Sequence, residues 1–495
     1  VFAAFAKSHG VDVPDFAYTQ TQTSLTTIRY ALDSMCAPLD RNFRQSPHWE
    51  SAVNDVYLKH KAYVDNSRMS SSEILQDLNN SSSMGYPHVY NGCPTVEIFK
   101  QLNPNIELVQ WAQDWCDNTI QWSVAMATMK KELVPKLKLI RRKQRMFVIQ
   151  PKQGYVLHKH YYGKQSKSLR NRHESAHGTS WFFGAVHLLA TQLENSTVDS
   201  YDFEFWDKRF VVMEDIYRIR NQWLAMSGDH SPDDVHYISK VNASYRNILI
   251  ITQTGDVFIV SDRINPSGFD ATTENNVLAH DIITHFLYRK HCFETAVNPF
   301  TAKIFTLDRY NGDDELKSSK SYCKDFLDYY MANVHQACLK IKEHIRTEGP
   351  IGAKFSGFTI VKPQGSNYYM PKYEIEKVWV GLLLTHDSDY NITVSRFLAF
   401  AFLLYPHTET FKQLRPVAIK YLRSFEGKVN EGALQAALDF WQDEEFLRRS
   451  WTGLEAGSCS IRPDFTPWEE EEYCENNVSS GSSHIGARIS SSPQS

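Results

Sequence analysis

Gly312-Asp313-Asp314 sets two carboxylates side by side behind a glycine. Glycine admits the strained backbone of a tight turn between two short strands, and such a turn places both carboxylates beside a shared cation. A second acidic stretch, Asp202-Phe-Glu-Phe-Trp-Asp207, reads as a strand end and the turn after it. Phosphoryl transfer with two divalent ions needs carboxylates from separate strands that converge on one spot. In a third stretch, from Asn265 to Asn276, a Pro-Ser-Gly loop runs into a helix with Thr272 and Asn276 four apart on one face. A fourth is basic: Lys130-Lys131-Glu132, then Arg141-Arg142-Lys143-Gln144-Arg145-Met146-Phe147. Alternating basic residues on an extended strand point one way and suit a row of phosphates. Each stretch also has a plain structural reading: an acidic surface turn, a helix capped by Ser267, or a solvated basic face.

These residues need elements to hold them. The chain has 495 residues, 42% hydrophobic and 22% charged, which predicts a large globular core in about three domains or one multi-lobed enzyme. Its net charge of −4 excludes a uniformly basic coat. Charge is focused instead: residues 130–170 carry nine Lys and four Arg against one Glu. Residues 1–120 read as mixed helix and loop. Residues 248–260 read as two strands around a Thr-Gly-Asp turn, and 211–226, 273–290, 321–346, 393–404 and 410–424 as helices.

Eight scattered cysteines, Cys36, Cys93, Cys116, Cys292, Cys323, Cys338, Cys459 and Cys474, form no CxxC pair and predict reduced thiols. His158-Lys159-His160 makes no closed metal site by itself. The longest apolar run, Phe397 to Tyr405, is too short to span a membrane. The chain opens on Val1 without an initiator methionine, which suggests a processed or trimmed product, and shows no signal peptide. Beyond Trp468 an acidic run and a segment with eight Ser in the last seventeen residues predict a disordered tail, 469–495.

In chain order the basic, Asp202-to-Asp207, Pro-Ser-Gly and Gly-Asp-Asp stretches resemble motifs F, A, B and C of viral RNA-dependent RNA polymerases. The nearest resemblance is to an astrovirus-like enzyme of positive-strand RNA viruses. Ser83-Met-Gly-Tyr-Pro87 resembles motif G, and Pro350 to Ile360 is similar to motif E with its primer grip. The resemblance covers about 80–375. It departs at Asn311, where the family usually has Tyr, at Asp308 and Arg309, where apolar residues are commoner, and at Lys208, where Gly is frequent.

The resemblance implies an α+β right-hand polymerase: fingers in 1–190 and 225–262, palm in 191–224 and 263–370, and a helical thumb in 371–468. The palm is expected to be an antiparallel sheet backed by helices. The implied reaction is templated transfer of ribonucleoside triphosphates to an RNA 3′ end, replicating a viral genome. Asp202, Asp313 and Asp314 are implied to hold two Mg²⁺ or Mn²⁺ ions, and Lys340 to be the general acid for pyrophosphate, in competition with Lys342 and His344. Asp207, Ser267, Gly268, Thr272 and Asn276 are implied to read the ribose, and Lys130, Lys143 and Arg145 to bind the triphosphate. Ser83, Gly85, Pro87, Phe355, Gly357 and Phe358 are implied to meet template or primer. Expected partners are template and nascent RNA, ribonucleoside triphosphates and, by family analogy, a protein primer, with no membrane span. The expected place is a replication complex in the host cytoplasm. A reverse transcriptase and a non-catalytic RNA-binding subunit are the alternatives. The intact Asp202, Asp313 and Asp314 argue against the second, and Asp207 with Asn276, both able to bond a ribose 2′-hydroxyl, against the first.

Overall fold

Along Thr197-Val-Asp-Ser-Tyr-Asp-Phe203 the side chains alternate between two faces. Asp199, Tyr201 and Phe203 share one face, and the Tyr201 hydroxyl donates to Asp199 Oδ2 at 2.8 Å. Ser200 and Asp202 share the other. The aromatic face packs on helical residues, Tyr201 lying 5.5 Å from the buried ring of Tyr330. That burial fixes which face looks outward.

A computed structural model describes residues 2–451, apart from 14–16, 23, 37–38, 121, 143, 173, 205, 229, 263, 299–307, 321–324, 364–365 and 385–388. In chain order its strands are β1 (Tyr18–Gln20), β2 (Val124–Met129), β3 (Leu133–Pro135), β4 (Met146–Ile149), β5 (Thr197–Phe203), β6 (Asn247–Ile251), β7 (Val257–Ser261), β8 (Arg309–Asn311), β9 (Asp314–Ser318), β10 (Ile341–Glu348), β11 (Lys354–Phe355), β12 (Phe358–Val361) and β13 (Met370–Tyr373). One four-stranded sheet, in the order β10-β5-β9-β8, is antiparallel throughout. A second, β4-β2-β6-β7, holds one parallel pair, β2 with β6. The hairpin expected over 248–260 is β6 and β7 of this sheet.

The helix Thr272–Glu294 is buried on nearly all sides. A helix so enclosed is usually apolar all round, yet this one carries acids and amides, and each is paired. Glu274 meets Arg170 at 2.9 Å and Asp281 meets Lys59 at 3.0 Å, while Asn275 accepts from Arg220. These contacts tie it to the helices Lys152–Arg170, Pro47–Lys61 and Met213–Ala225.

Two sequence expectations are corrected. Residues 321–346 are not one helix: a helix covers Phe326–Asn333, a 3-10 turn follows to Ala337, and β10 begins at Ile341. Cys338 takes φ +62°, which ends the helical path, and the β-branched residues after it favour a strand. The basic segment is not one extended strand either. Lys136–Ile140 is a short helix, Arg142 turns at φ +54°, and β4 starts only at Met146.

The helices Ile375–Leu384, Tyr390–Leu404, Thr408–Arg423, Glu431–Gln442 and Glu444–Trp451 build a separate apolar core. The first helix, Phe2–Ser8, belongs to that core and not with the rest of 1–190: Phe2 meets Phe397 edge to face at 4.8 Å. No helix among the described residues is long and apolar enough to cross a membrane. The tail 469–495 lies outside the described residues.

Candidate active site

β8 and β9 form a hairpin in which Asn311 pairs with Asp314. Gly312 and Asp313 make the two-residue turn, and Gly312 takes φ +68°, the backbone that glycine supplies most cheaply there. On the other side of β9, Asp202 of β5 is the direct partner of Asp314. Three carboxylates thus arrive from two adjacent strands and one turn. Asp202 and Asp314 also line a cleft of about 120 Å³ with Gly357, Lys354 and Lys377.

Their charges repel one another. Asp313 opens to solvent at the turn, yet protein crowds its other sides; that desolvation, then the Asp202 anion, raises its pKa. Burial, then Asp313 and Asp202, pushes Asp314 up to about 7. Burial raises Asp207 most and Asp313 adds to it, against Lys208 and Arg145. Among the described residues no three His, Cys, Asp or Glu side chains are grouped closely enough to hold a metal ion. Asp202 is instead held by the ammonium of Lys342. Asp313 and Asp314 are oxygen donors short of positive charge, the chemistry a hard divalent cation answers, and Asp202 beside them is an oxygen donor that Lys342 already meets.

Of the three candidates for a proton donor, Lys342 is the one on Asp202. Lys340 pairs with Glu204 at 2.5 Å. His344 stacks on Tyr201 and approaches Asp199 at 3.1 Å, on the other face of β5. The cause is a bulge: Ile341 faces Phe203 and Glu343 faces Asp202, so Lys342 is the extra residue between them. Burial disfavours its charge, but the bond and field of Asp202 outweigh that and raise its pKa.

Asn276 is buried, and its Oδ1 accepts from Trp206 Nε1 at 3.0 Å and Asn265 Nδ2 at 2.7 Å. An indole N–H only donates, so the amide orientation is set. The acceptor is spent, and the NH₂ group is what Asn276 can offer. Asn265 also binds Asp207 through the backbone, donating its N–H to the Asp207 carbonyl at 3.2 Å. Thr272 is turned inward: its hydroxyl donates to the carbonyls of Pro266 at 2.9 Å and Phe269 at 2.8 Å, so it shapes the loop and does not face outward.

Ser267 and Gly268 are exposed on that loop, and the Ser267 carbonyl accepts from Val148 N at 3.1 Å. Gly268 takes φ +105°, and a Cβ there would lie 2.5 Å from the Val148 carbonyl and 2.6 Å from the Phe147 ring. We expect Gly268→Ala to destabilise the protein by about 2 kcal/mol or more, from backbone strain plus the clash with β4. Denaturant unfolding checks this, and an unchanged midpoint contradicts the close approach.

Lys130 and Arg145 sit side by side, Lys130 N–H donating to the Arg145 carbonyl at 2.9 Å. Both are exposed, and the charge of Arg145 reaches Asp313 and Asp207. Lys143 lies outside the described residues.

The Ser83–Pro87 loop docks on the start of the helix Lys152–Arg170, Met84 O accepting from Lys152 N at 3.0 Å. Gly85 takes φ +76°, and a Cβ there would be 2.8 Å from Pro151 Cα. Ser83 Oγ accepts from Gly85 N at 3.1 Å, and Pro87 is half-buried. In the β11–β12 hairpin Phe355 and Phe358 do not face outward as expected. Both are buried on Trp181, at 5.5 and 5.4 Å, because an apolar ring there gains more from the core than from water. The turn itself, Ser356-Gly357, is what the hairpin presents, and Gly357 is exposed.

The departures from the polymerase pattern have partners. Asn311 Nδ2 donates to Ser356 Oγ at 2.5 Å, linking the acidic turn to that hairpin. Asp308 is buried against Lys317 at 3.0 Å, and Arg309 donates to the Asp308 carbonyl at 2.9 Å. Lys208 donates to Ser34 at 2.8 Å. The reading from residue types missed Asn265, Trp206 and Ser356 as positioning groups. All three lie inside stretches already singled out, and for the first two an indole N–H beside a buried amide is the signal that points to them.

A sequence model of the family described as viral RNA-dependent RNA polymerase matches residues 17–365. A search of curated proteins finds no similar sequence. The matched span is well over half of the chain and takes in every candidate side chain from Ser83 to Phe358. The family implies a right-hand polymerase that generally uses divalent metal ions, in keeping with the mixed helix and sheet and with a cluster of carboxylates short of positive charge. Matched over the residues that build this acidic centre, the chain belongs to the viral RNA-dependent RNA polymerases, RNA-directed nucleotidyltransferases that synthesise RNA in viral replication.

Proposed function

We propose that the chain extends an RNA 3′ end in a two-ion site held by Asp202 and Asp313, with Asp314 in support. The observation that carries this reading is the pairing of Asp202 with Asp314 beside the Gly312-Asp313 turn. Mg²⁺ or Mn²⁺, when bound there, lowers the pKa of the attacking 3′-hydroxyl and neutralises the leaving pyrophosphate. Lys342, rather than Lys340, is the better placed proton donor, since it already contacts Asp202. Arg145, with Lys130, neutralises the triphosphate, and Asp207 and Asn276 read the ribose.

In this reading the β10-β5-β9-β8 sheet is the palm, within 191–224 and 263–370. Residues 1–190 and 225–262 form most of the fingers, and 371–468 the thumb, to which the helix Phe2–Ser8 is joined. Ser83, Gly85 and Pro87 guide template, and the Ser356-Gly357 turn meets the primer. The motif order supports an astrovirus-like enzyme of a positive-strand RNA virus, replicating in the host cytoplasm; a protein primer follows by analogy alone. The test is elongation of a primed RNA template with ribonucleotides in Mg²⁺ or Mn²⁺. Absence of metal-dependent extension sinks the reading in favour of a non-catalytic subunit.

Arg145→Ala should raise KM for triphosphates, lower turnover, or both, by roughly ten- to a hundredfold, the worth of a charge-assisted bond or two. RNA affinity should change less. Steady-state kinetics beside RNA-binding isotherms decide it: collapsed RNA affinity with unchanged kinetics makes this segment a template clamp.

A further inference from the structure

His280 lies four residues beyond Asn276 on the helix Thr272–Glu294, one turn further along the same face. It is fully buried. Its ring is sandwiched between two others: Trp206 at 4.0 Å and 10° on one side, Tyr310 at 4.6 Å and 4° on the other. Its Nε2 lies 3.0 Å from the Gly312 carbonyl. A carbonyl only accepts, so Nε2 carries hydrogen and donates to the turn. Nδ1 faces Glu315 Oε1 at 3.5 Å.

Each partner leads to a different part of the site. Gly312 precedes Asp313, so its carbonyl sets the plane of the peptide that carries the turn into that carboxylate. Tyr310 lies two residues before Gly312 on β8. Trp206 precedes Asp207 and donates to Asn276. One buried ring therefore touches both the turn that bears Asp313 and the indole that orients Asn276.

We propose that His280 is a positioning residue that registers the metal-binding turn against the ribose-reading pair. The donor at Nε2 holds the turn, and the ring face holds Trp206. The proposal rests on the reading of Asp207 and Asn276 as the ribose contacts. It separates the two functions of the ring, which substitutions can divide. His280→Phe keeps a flat ring between Trp206 and Tyr310 and removes the donor, leaving the Gly312 carbonyl unpaired. His280→Gln keeps an N–H near the Nε2 position and removes the ring.

The experiment is single-nucleotide incorporation on one primed RNA, with ribo- and deoxynucleotides, for wild type, both His280 variants and Asn276→Ala. Thermal unfolding of each is run alongside. His280→Phe should lose roughly tenfold in kcat, the effect of one hydrogen bond lost from the half-buried turn. Its ratio of ribo- to deoxynucleotide use should shift less than its kcat. His280→Gln should show the reverse order: the smaller kcat loss, and a sugar ratio narrowed by roughly tenfold. If the two variants lose kcat and sugar ratio in equal proportion, or differ only as their unfolding temperatures do, His280 is core packing and the proposal falls. If Asn276→Ala leaves the sugar ratio intact, the ribose reading fails first and the registration falls with it. A narrowed ratio in Asn276→Ala without the crossed pattern at His280 overturns the registration alone. Should one His280 variant fail to fold, the other still answers, because each predicts its own imbalance between kcat and sugar ratio.

Discussion

Asp313→Asn should abolish elongation, by roughly 10³-fold or more, the scale on which preorganised electrostatic groups act. The amide keeps the size and turn geometry of Asp313 but loses the charge that a divalent ion needs. The fold should not suffer. Protein crowding, then the Asp202 anion, raises the pKa of Asp313 in the folded state. An acid with a raised folded pKa costs stability once pH exceeds its unfolded value, so a neutral replacement should leave the unfolding temperature equal or higher at pH 7. RNA binding should persist, because the turn bears no cation. Elongation, thermal unfolding and RNA titration on one preparation test all three. Wild-type rates in Asp313→Asn would remove Asp313 from the site, and loss of fold together with activity would make it structural. Asp202→Asn should behave alike in activity, with Lys342 then losing its partner. Mn²⁺, less exacting in geometry than Mg²⁺, should partly rescue either variant.

The second large effect concerns sugar choice. Asp207, ionised, can only accept, and Asn276 has its NH₂ group to offer since Trp206 and Asn265 take its oxygen. A 2′-hydroxyl both donates and accepts, so it can satisfy the pair. A site built to bond a hydroxyl rejects the analogue lacking it by up to ~10⁴, because its polar groups are left unpaired. Asn276→Ala and Asp207→Ala should narrow that preference, with a smaller loss for deoxynucleotides than for ribonucleotides. Asn265→Ala should move in the same direction, since it removes one of the two donors that hold Asn276 Oδ1, while the backbone bond to the Asp207 carbonyl persists. Paired incorporation curves on one template check this. Equal losses for both sugars make these residues structural, and a wild type preferring deoxynucleotides points to a reverse transcriptase.

What could be read directly from the chain was local. The acidic turn depends on Gly312 and its neighbours, and the β6–β7 hairpin on a Thr-Gly-Asp turn between β-branched runs. The helix read near 273–290 is there, and it runs Thr272–Glu294. The ordered series of motifs, which needs only sequence, pointed to the family that the match over 17–365 then showed.

Tertiary contacts decided the rest. Lys340, Lys342 and His344 are equivalent by composition and spacing; a one-residue bulge against β5 hands Asp202 to Lys342. Phe355 and Phe358 looked available until Trp181 buried them. Asn276 seemed able to use both ends of its amide, and Trp206, seventy residues earlier, spends one. The joining of Phe2–Ser8 to helices beyond residue 374 had no local sign. Turn and helix preferences come from backbone sterics and neighbouring side chains, and so are written within a few residues. Which polar atom stays free depends on partners brought from far along the chain, and that is settled only when packing brings them together.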